Sequence, residues 1–295
     1  MTRQAIEHAI EAAGIKAAVT RLSDLSGGCI HQVSRVDLDD GRTLVAKLTN
    51  ASQRGLFEEE AVGLTALAET NTVLVPYALH TGEYDGRAVL LMTHVDPGPR
   101  DDGAYRRLGE ELAAMHRTDV GQRYGFAHDN HLGTTPQPNT WHDDWVEFNR
   151  NCRLGHQLNL AKAGRAMSSD ELKTVERVID RLDQILPHRP FPSLLHGDLW
   201  AGNAMPGVDE DGSPRVAVID PACSIGDGWA DIAMMQLFGG FPASCFEAYS
   251  AQIHDHNEVD RRIAAYQLYH VLNHVNLFGR GYARQAVALA QQLAA

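Results

Sequence analysis

The chain is poor in the features that announce several large classes of protein. Cysteine occurs four times in 295 residues, at 29, 152, 223 and 245, with no C-x-x-C pair. Neither a disulfide framework nor a zinc site follows, and a reducing, cytoplasmic setting suits this usage. No stretch approaches the roughly 20 apolar residues that span a bilayer. The opening, MTRQAIEHAIEAAGI, has helical spacing and acidic residues, a poor match to a signal or transit peptide. Positive charge is in deficit: 26 Lys and Arg stand against 38 Asp and Glu, a net charge of −12. Such a balance argues against nucleic acid or an anionic membrane as partner, while leaving room for a local nucleotide site. There is no internal repeat and no low-complexity tract. Among the 15 histidines, His254 with His256 and His270 with His274 have ligand-like spacing, but no third metal ligand accompanies either pair.

What is present divides at DPGPRD (96–101), the first strong cluster of breakers. Before it, residues 4–13 read as a short helix. Residues 20–48 read as three antiparallel strands, one running into Gly27, one over Val33–Leu38 and one over Thr43–Leu48, with Asp40-Gly41 as a hairpin turn. In the third strand Leu44, Ala46 and Leu48 share one face, and Val45 and Lys47 the other. Phe57–Glu69 has the apolar stripe of a helix, and 72–95 reads as two more strands. The first part, 1–95, is therefore a small antiparallel sheet with one main helix. The second, 96–295, has a helical texture. Tyr105–His116 and Ser168–Leu186 are its clearest helices, the latter opening with capping-box spacing at Ser168 and Glu171 and stopping at Pro187. The whole is an α+β chain in two parts.

The densest chemistry lies in LLHGDLWAGNAM (194–205). Asp198 followed by Asn203 has the spacing of a phosphoryl-transfer loop, in which the Asp accepts the acceptor's proton and the Asn amide oxygen binds Mg²⁺. PRVAVIDPA (214–222) is a short apolar strand running to Asp220, which is placed to be a second metal ligand. Lys47, on the third strand after a glycine loop, is where such a fold grips phosphates. Its expected partner is Glu60, which borders the apolar face of the following helix, with Glu59 as the alternative. The glycine loop SGGCIHQ (26–32) is not G-x-G-x-x-G. Gly27 and Gly28 could bring backbone N–H groups to phosphate oxygens or simply form a turn. Cys29 beside them is a candidate exposed thiol. Asp220 is followed by Pro-Ala, the interval to Asp231 is short, and no Ala-Pro-Glu follows. That leaves no room for a long peptide-docking segment and points to a small acceptor.

Lys47, Glu60, HGDLWAGN (196–203), VIDPA (218–222), GDGWADIAMMQLFGGFP (226–242) and the stretch from Leu132 to Ala161 together resemble the fructosamine kinase (ketosamine-3-kinase) family. That family is a branch of the aminoglycoside phosphotransferase and choline kinase group. The resemblance runs over about residues 20–285. It implies a two-lobed, protein-kinase-like fold and ATP- and Mg²⁺-dependent phosphorylation of the 3-hydroxyl of a ketosamine, a repair of glycated metabolites or protein lysines. Carried over by position, Asp198 is the base, Asn203 and Asp220 hold Mg²⁺, and Lys47 and Glu60 position ATP. The adenine falls near Met92, His94 and Val95. The acceptor contacts fall to Trp200, His196, Asn139 and Trp141, and Asp231 braces the catalytic loop from below. An indole beside the base suits both the C–H face of a sugar and a protonated amine, although lobe packing is the other reading of Trp200. Two other functions remain open at this point: a kinase for an aminoglycoside, choline or homoserine, and a nucleotide-binding pseudokinase.

Overall fold

A computed structural model describes residues 2–25 and 31–294. Gly27, Gly28 and Cys29, and with them the expectations placed on the glycine loop, lie outside the described residues. The chain divides into two compact units, 1–101 with 205–220, and 102–204 with 221–295.

In the first unit, α1 (Thr2–Ala12) precedes β1 (Val19–Asp24), β2 (Gln32–Leu38), β3 (Thr43–Asn50), α2 (Arg54–Glu69), β4 (Ala78–Tyr84) and β5 (Arg87–Thr93). The strands form one antiparallel sheet in the order β1-β2-β3-β5-β4. The Asp40-Gly41 turn closes β2 onto β3, with Gly41 at φ 87° and its N–H bonded to the Leu38 carbonyl at 3.2 Å. Period-two alternation sorts β3 as its sequence implies: Leu44, Ala46 and Leu48 enter an apolar core, leaving Lys47 on the opposite face. The short helix read over residues 4–13 is α1, and it packs against the same sheet as the main helix α2. Ala5, Ile6, Ala9 and Ile10 of α1 recur at helical spacing and fill that same core, while Phe57, Leu64 and Leu67 of α2 are buried as well.

The second unit begins with α3 (Asp102–His116), then a short hairpin, β6 (Asn130–Leu132) and β7 (Thr135–Gln137). α4 (Trp145–Phe148) continues through a π-helical turn at Asn149–Arg153 into α5 (Leu154–Ala163). α6 (Ser169–Asp180) has the capping box its sequence spells, with Ser168 and Glu171 bonded reciprocally. It ends before Leu186 because Leu182–Gln184 tightens into a 3₁₀ turn. β8 (Pro192–Leu195) leads into the 196–203 loop. The next hairpin, β9 (Ala204–Val208) and β10 (Pro214–Val218), belongs mostly to the first unit, where Ala217 bridges to Leu74. β11 (Ser224–Asp227) returns to pair antiparallel with β8. The helices α7 (Trp229–Leu237), α8 (Ala243–Ser250), α9 (Val259–Phe278) and α10 (Ala283–Ala294) complete the unit. No helix among the described residues is long and apolar enough to cross a membrane.

Candidate active site

The predicted residues fall into two groups, one within each unit. In the first unit Lys47 sits on the central strand, between Val33 of β2 and Leu90 of β5. Its ammonium donates to Glu60 Oε1 at 2.6 Å and to Asp220 Oδ1. Glu60, not Glu59, is the pairing carboxylate. Asp220 lies two residues past β10 with φ 56°, a left-handed conformation uncommon for a side-chain-bearing residue. Burial alone would lower the Lys47 pKa, but the two carboxylates outweigh it and hold the ammonium above its usual value. One cation between two carboxylates fully neutralises only one of them. Burial pushes Glu60 up to about 7; Lys47 draws it back and Asp220 repels it. Met92 is buried at the end of β5. His94 Nδ1 lies 3.1 Å from Asp96. Val95 packs on the backbone of β9, where a Cβ on Gly207 would stand 2.7 Å from Val95 Cγ1.

In the second unit β8 and β11 present the 196–203 loop. Gly197 has φ 83°, and a Cβ there would meet the Ala222 carbonyl oxygen at 2.1 Å, so only glycine fits. Asp198 is half-buried. Its N–H donates to His196 Nδ1 at 3.2 Å, and the Asn203 amide nitrogen donates to its carbonyl at 2.9 Å and to its Oδ2 at 3.2 Å. With Nδ2 committed to Asp198, Oδ1 is the atom through which Asn203 could bind a metal. Behind the loop, Asp231 accepts from the His196 and Gly197 N–H groups at 2.7 and 2.8 Å. Burial would raise Asp231, but the bond and charge of His116, with the Gly197 N–H, hold it below the usual carboxylate range.

The four expected acceptor residues are spread over different surroundings. Trp200 is 39% exposed, and its ring folds over Gly202, where a Cβ would come within 2.2 Å of it. Trp141 is 37% exposed, with the Arg123 guanidinium 6.0 Å from its ring centroid. His196 and Asn139, by contrast, have essentially no exposed surface. The His196 ring accepts from the Asp198 N–H, which orients the loop rather than meeting an acceptor. Asn139 donates to His128 and Asn130 and accepts from Arg153 at 2.7 Å. Its neighbour Gln137 donates to the Ala222 carbonyl at 3.2 Å and accepts from the Tyr269 hydroxyl at 2.5 Å. The 132–161 stretch thus supports the chain just after Asp220 from within.

A sequence model described as fructosamine kinase matches residues 1–295. The chain belongs to the fructosamine kinase family. It is 39% identical over 269 residues to a probable ketoamine kinase of Synechocystis, covering 91% of this chain and 88% of that protein. It is 35% identical over 294 residues to the chloroplastic protein-ribulosamine 3-kinase of Arabidopsis thaliana, covering 98% of this chain and 87% of that one. The crystal structure of a protein assigned as a fructosamine-3-kinase from Haemophilus somnus superposes with a TM-score of 0.86 at 27% identity, covering 99% of this chain and 97% of that one. The fold is α+β and protein-kinase-like.

Sequence reasoning on this fructosamine kinase family member did not reach the support of Asp231. His116, the last residue of α3, places Nε2 3.1 Å from Asp231 and Nδ1 2.9 Å from the Tyr249 hydroxyl. These contacts span 115 and 133 residues of chain, so no local spacing announces them. An isolated His at a helix end carries no such message.

Proposed function

We propose that this protein is an ATP-dependent kinase that phosphorylates the 3-hydroxyl of ketosamines, sugars joined to an amine through a ketoamine linkage. The observation that carries this reading is the Asp198 loop. A half-buried carboxylate is held by the Asn203 side-chain amide, on a loop whose His196 and Gly197 N–H groups are gripped by the buried Asp231. Phosphoryl transfer asks a protein mainly to position groups and neutralise charge, and such a loop does that. Asp198 is the group that receives the acceptor's proton. Lys47 is the phosphate-binding cation, held upright by Glu60, with Met92, His94 and Val95 on the adenine side. The Synechocystis and Arabidopsis relatives are named for ketoamine and ribulosamine chemistry, which supports the acceptor class.

Magnesium fits the available donors. Asn203 offers an amide oxygen and Asp220 a carboxylate, hard oxygen ligands of the kind that leave the remaining positions to phosphate and water. Bound there, the ion would supply charge neutralisation along the phosphates. Trp200 offers its exposed face to the sugar and amine. His196, Asn139 and Asp231 position the machinery; Trp141 is the second exposed ring in our assignment.

The test is ADP release measured against fructosamines, ribulosamines and erythrulosamines, free and on peptide lysines, beside an aminoglycoside, choline and homoserine. Turnover confined to ketosamines is the expected result. Turnover with an aminoglycoside or choline and none with any ketosamine would overturn the acceptor assignment. No turnover with any acceptor would leave a nucleotide-binding pseudokinase.

A further inference from the structure

Behind the catalytic loop, within the second unit, lies a cavity of about 270 Å³. His116, Trp229, Tyr249, Ile253 and Arg262 line it, together with Phe191, which is 58% exposed. Two properties define its guest. The first is that the buried charges of its wall are already partnered. Arg262 donates to Asp227 at 2.9 Å and to Asp255 at 2.7 Å, and the Tyr266 hydroxyl donates to Asp227 at 2.6 Å. The Trp229 indole N–H donates to the Asp255 carbonyl at 2.9 Å. Arg117, at the exposed rim, donates to the Gln252 carbonyl at 2.7 Å and side-chain oxygen at 3.2 Å. An ionic guest seated against the inner wall would have to break one of the Arg262 pairs and strand a buried charge, which is strongly unfavourable. The second is an aromatic wall. Trp229 and Tyr249 meet edge to face at 5.3 Å, and Tyr249 and His116 at 5.5 Å, spacings that a further ring can extend. An apolar cavity of about 150 Å³ takes benzene; this one admits a fused pair of rings.

The same wall holds the loop. His116 and Tyr249 are bonded to each other, and His116 to Asp231, which grips the His196 and Gly197 N–H groups. The backbone presses on this pair: a Cβ on Gly228 would lie 2.7 Å from His116 Nδ1 and 2.8 Å from the Tyr249 hydroxyl. We propose that the cavity is a binding site for a small uncharged aromatic molecule, of phenol or indole size, and that its occupant acts on Asp198 through His116, Tyr249 and Asp231. A guest packed on the two rings holds them against Asp231, so occupancy favours the braced loop. The regulatory half of the proposal rests on the kinase reading above; the binding half does not.

Indole titrated into the full ¹⁵N-labelled chain, without nucleotide, tests the site. The chain has four Trp, each with its own side-chain N–H signal, assignable with single Trp→Phe variants. The Trp229 signal is expected to move saturably, with a midpoint on the order of 1 mM for so small a ligand. The Gly197 amide is expected to move with the same midpoint. Ile253→Trp, which fills the cavity from its own wall, abolishes both shifts. If that variant does not fold, the wild-type titration decides alone. Movement of Trp200 with Trp229 still, or a Trp229 shift linear in indole, overturns the site. A saturating Trp229 with Gly197 fixed overturns the coupling. In turnover assays saturating indole raises kcat severalfold for the wild type and not for Ile253→Trp. An unchanged kcat despite the Gly197 shift overturns the regulation. A chain with no ketosamine turnover but an intact Trp229 titration fails the kinase reading and keeps the site.

Discussion

Glu60 is mostly buried and Asp231 fully so, and their surroundings push the two carboxylates in opposite directions. Glu60 shares one cation, Lys47, with a second carboxylate, and burial wins: its pKa rises to about 7. Asp231 is surrounded by donors instead. It takes two backbone N–H bonds and a His116 ring, and these win over burial. The contrast suits the proposed roles. A cluster proposed to receive a phosphate and a metal is built from ion pairs that a ligand can replace. A loop proposed to stay in place while bonds change is held through backbone donors behind it.

The sharpest way to break that division is at the fixed half. Asp198→Ala is expected to lower kcat by about 10²–10⁴-fold, the range of a positioned acid–base group, with the ATP KM little changed. Single-turnover kinetics check this; near-full turnover in the variant removes Asp198 from the reaction. The exchangeable half should respond differently. Lys47→Met leaves Glu60 and Asp220 side by side without their cation and removes a charge-assisted bond worth about 1.5–3 kcal/mol. The expected loss in kcat/KM for ATP is therefore roughly 10–150-fold. Titration of nucleotide binding by calorimetry should show it as weakened affinity rather than as lost folding.

How much of this arrangement the sequence discloses depends on range. Lys47 could be put on its face of β3 because strand alternation is local, and Glu60 could be preferred to Glu59 because helical spacing is local too. The Asp198–Asn203 spacing and the Ser168–Glu171 cap are also short-range signals. Long-range groups are different. His196 is visible as a His beside the loop, but nothing in the sequence tells that its ring turns inward, where Asp231 holds its N–H and Asp198 donates to its nitrogen. The sequence puts the end of α6 at Leu186, too late, because Ile185 and Leu186 keep an apolar rhythm that a 3₁₀ turn serves equally well. The brace from His116 and Tyr249 depends on three distant helix ends meeting, which only tertiary packing specifies.

Acidity offers a third test of the same contrast. A carboxylate raised in the folded state makes folding less favourable as pH climbs from its unfolded value to its folded one. For Glu60 the loss accumulates from about pH 4.5 to about 7 and is on the order of 3 kcal/mol. Glu60→Gln should therefore melt closer to the wild type at pH 5, and gain on it by pH 7. Asp231 has the opposite sign. Its contribution is present above its unfolded value near 3.8 and is lost as pH falls through its lowered folded value. Asp231→Asn should thus be least stable relative to the wild type at neutral pH, and the gap should close only in strong acid. Melting curves of both variants from pH 3 to 8 check the two slopes.

Trp200 probes the boundary between the two kinds of support, and its effect is the smallest. Its ring rests over Gly202 inside the fixed loop, yet 39% of it faces out. If the exposed face serves the acceptor, Trp200→Ala should raise the ketosamine KM by roughly 2–30-fold, the equivalent of about 0.5–2 kcal/mol of ring and cation contact. The ATP KM should hold, and the melting temperature should fall by no more than about 3 °C, because Asp231 rather than the indole fixes the loop backbone. Trp200→Phe keeps an aromatic face and should recover most of the KM. A fall in kcat with an unchanged acceptor KM would instead make the ring a prop for Asp198. The loop would then be held from the front as well as from behind.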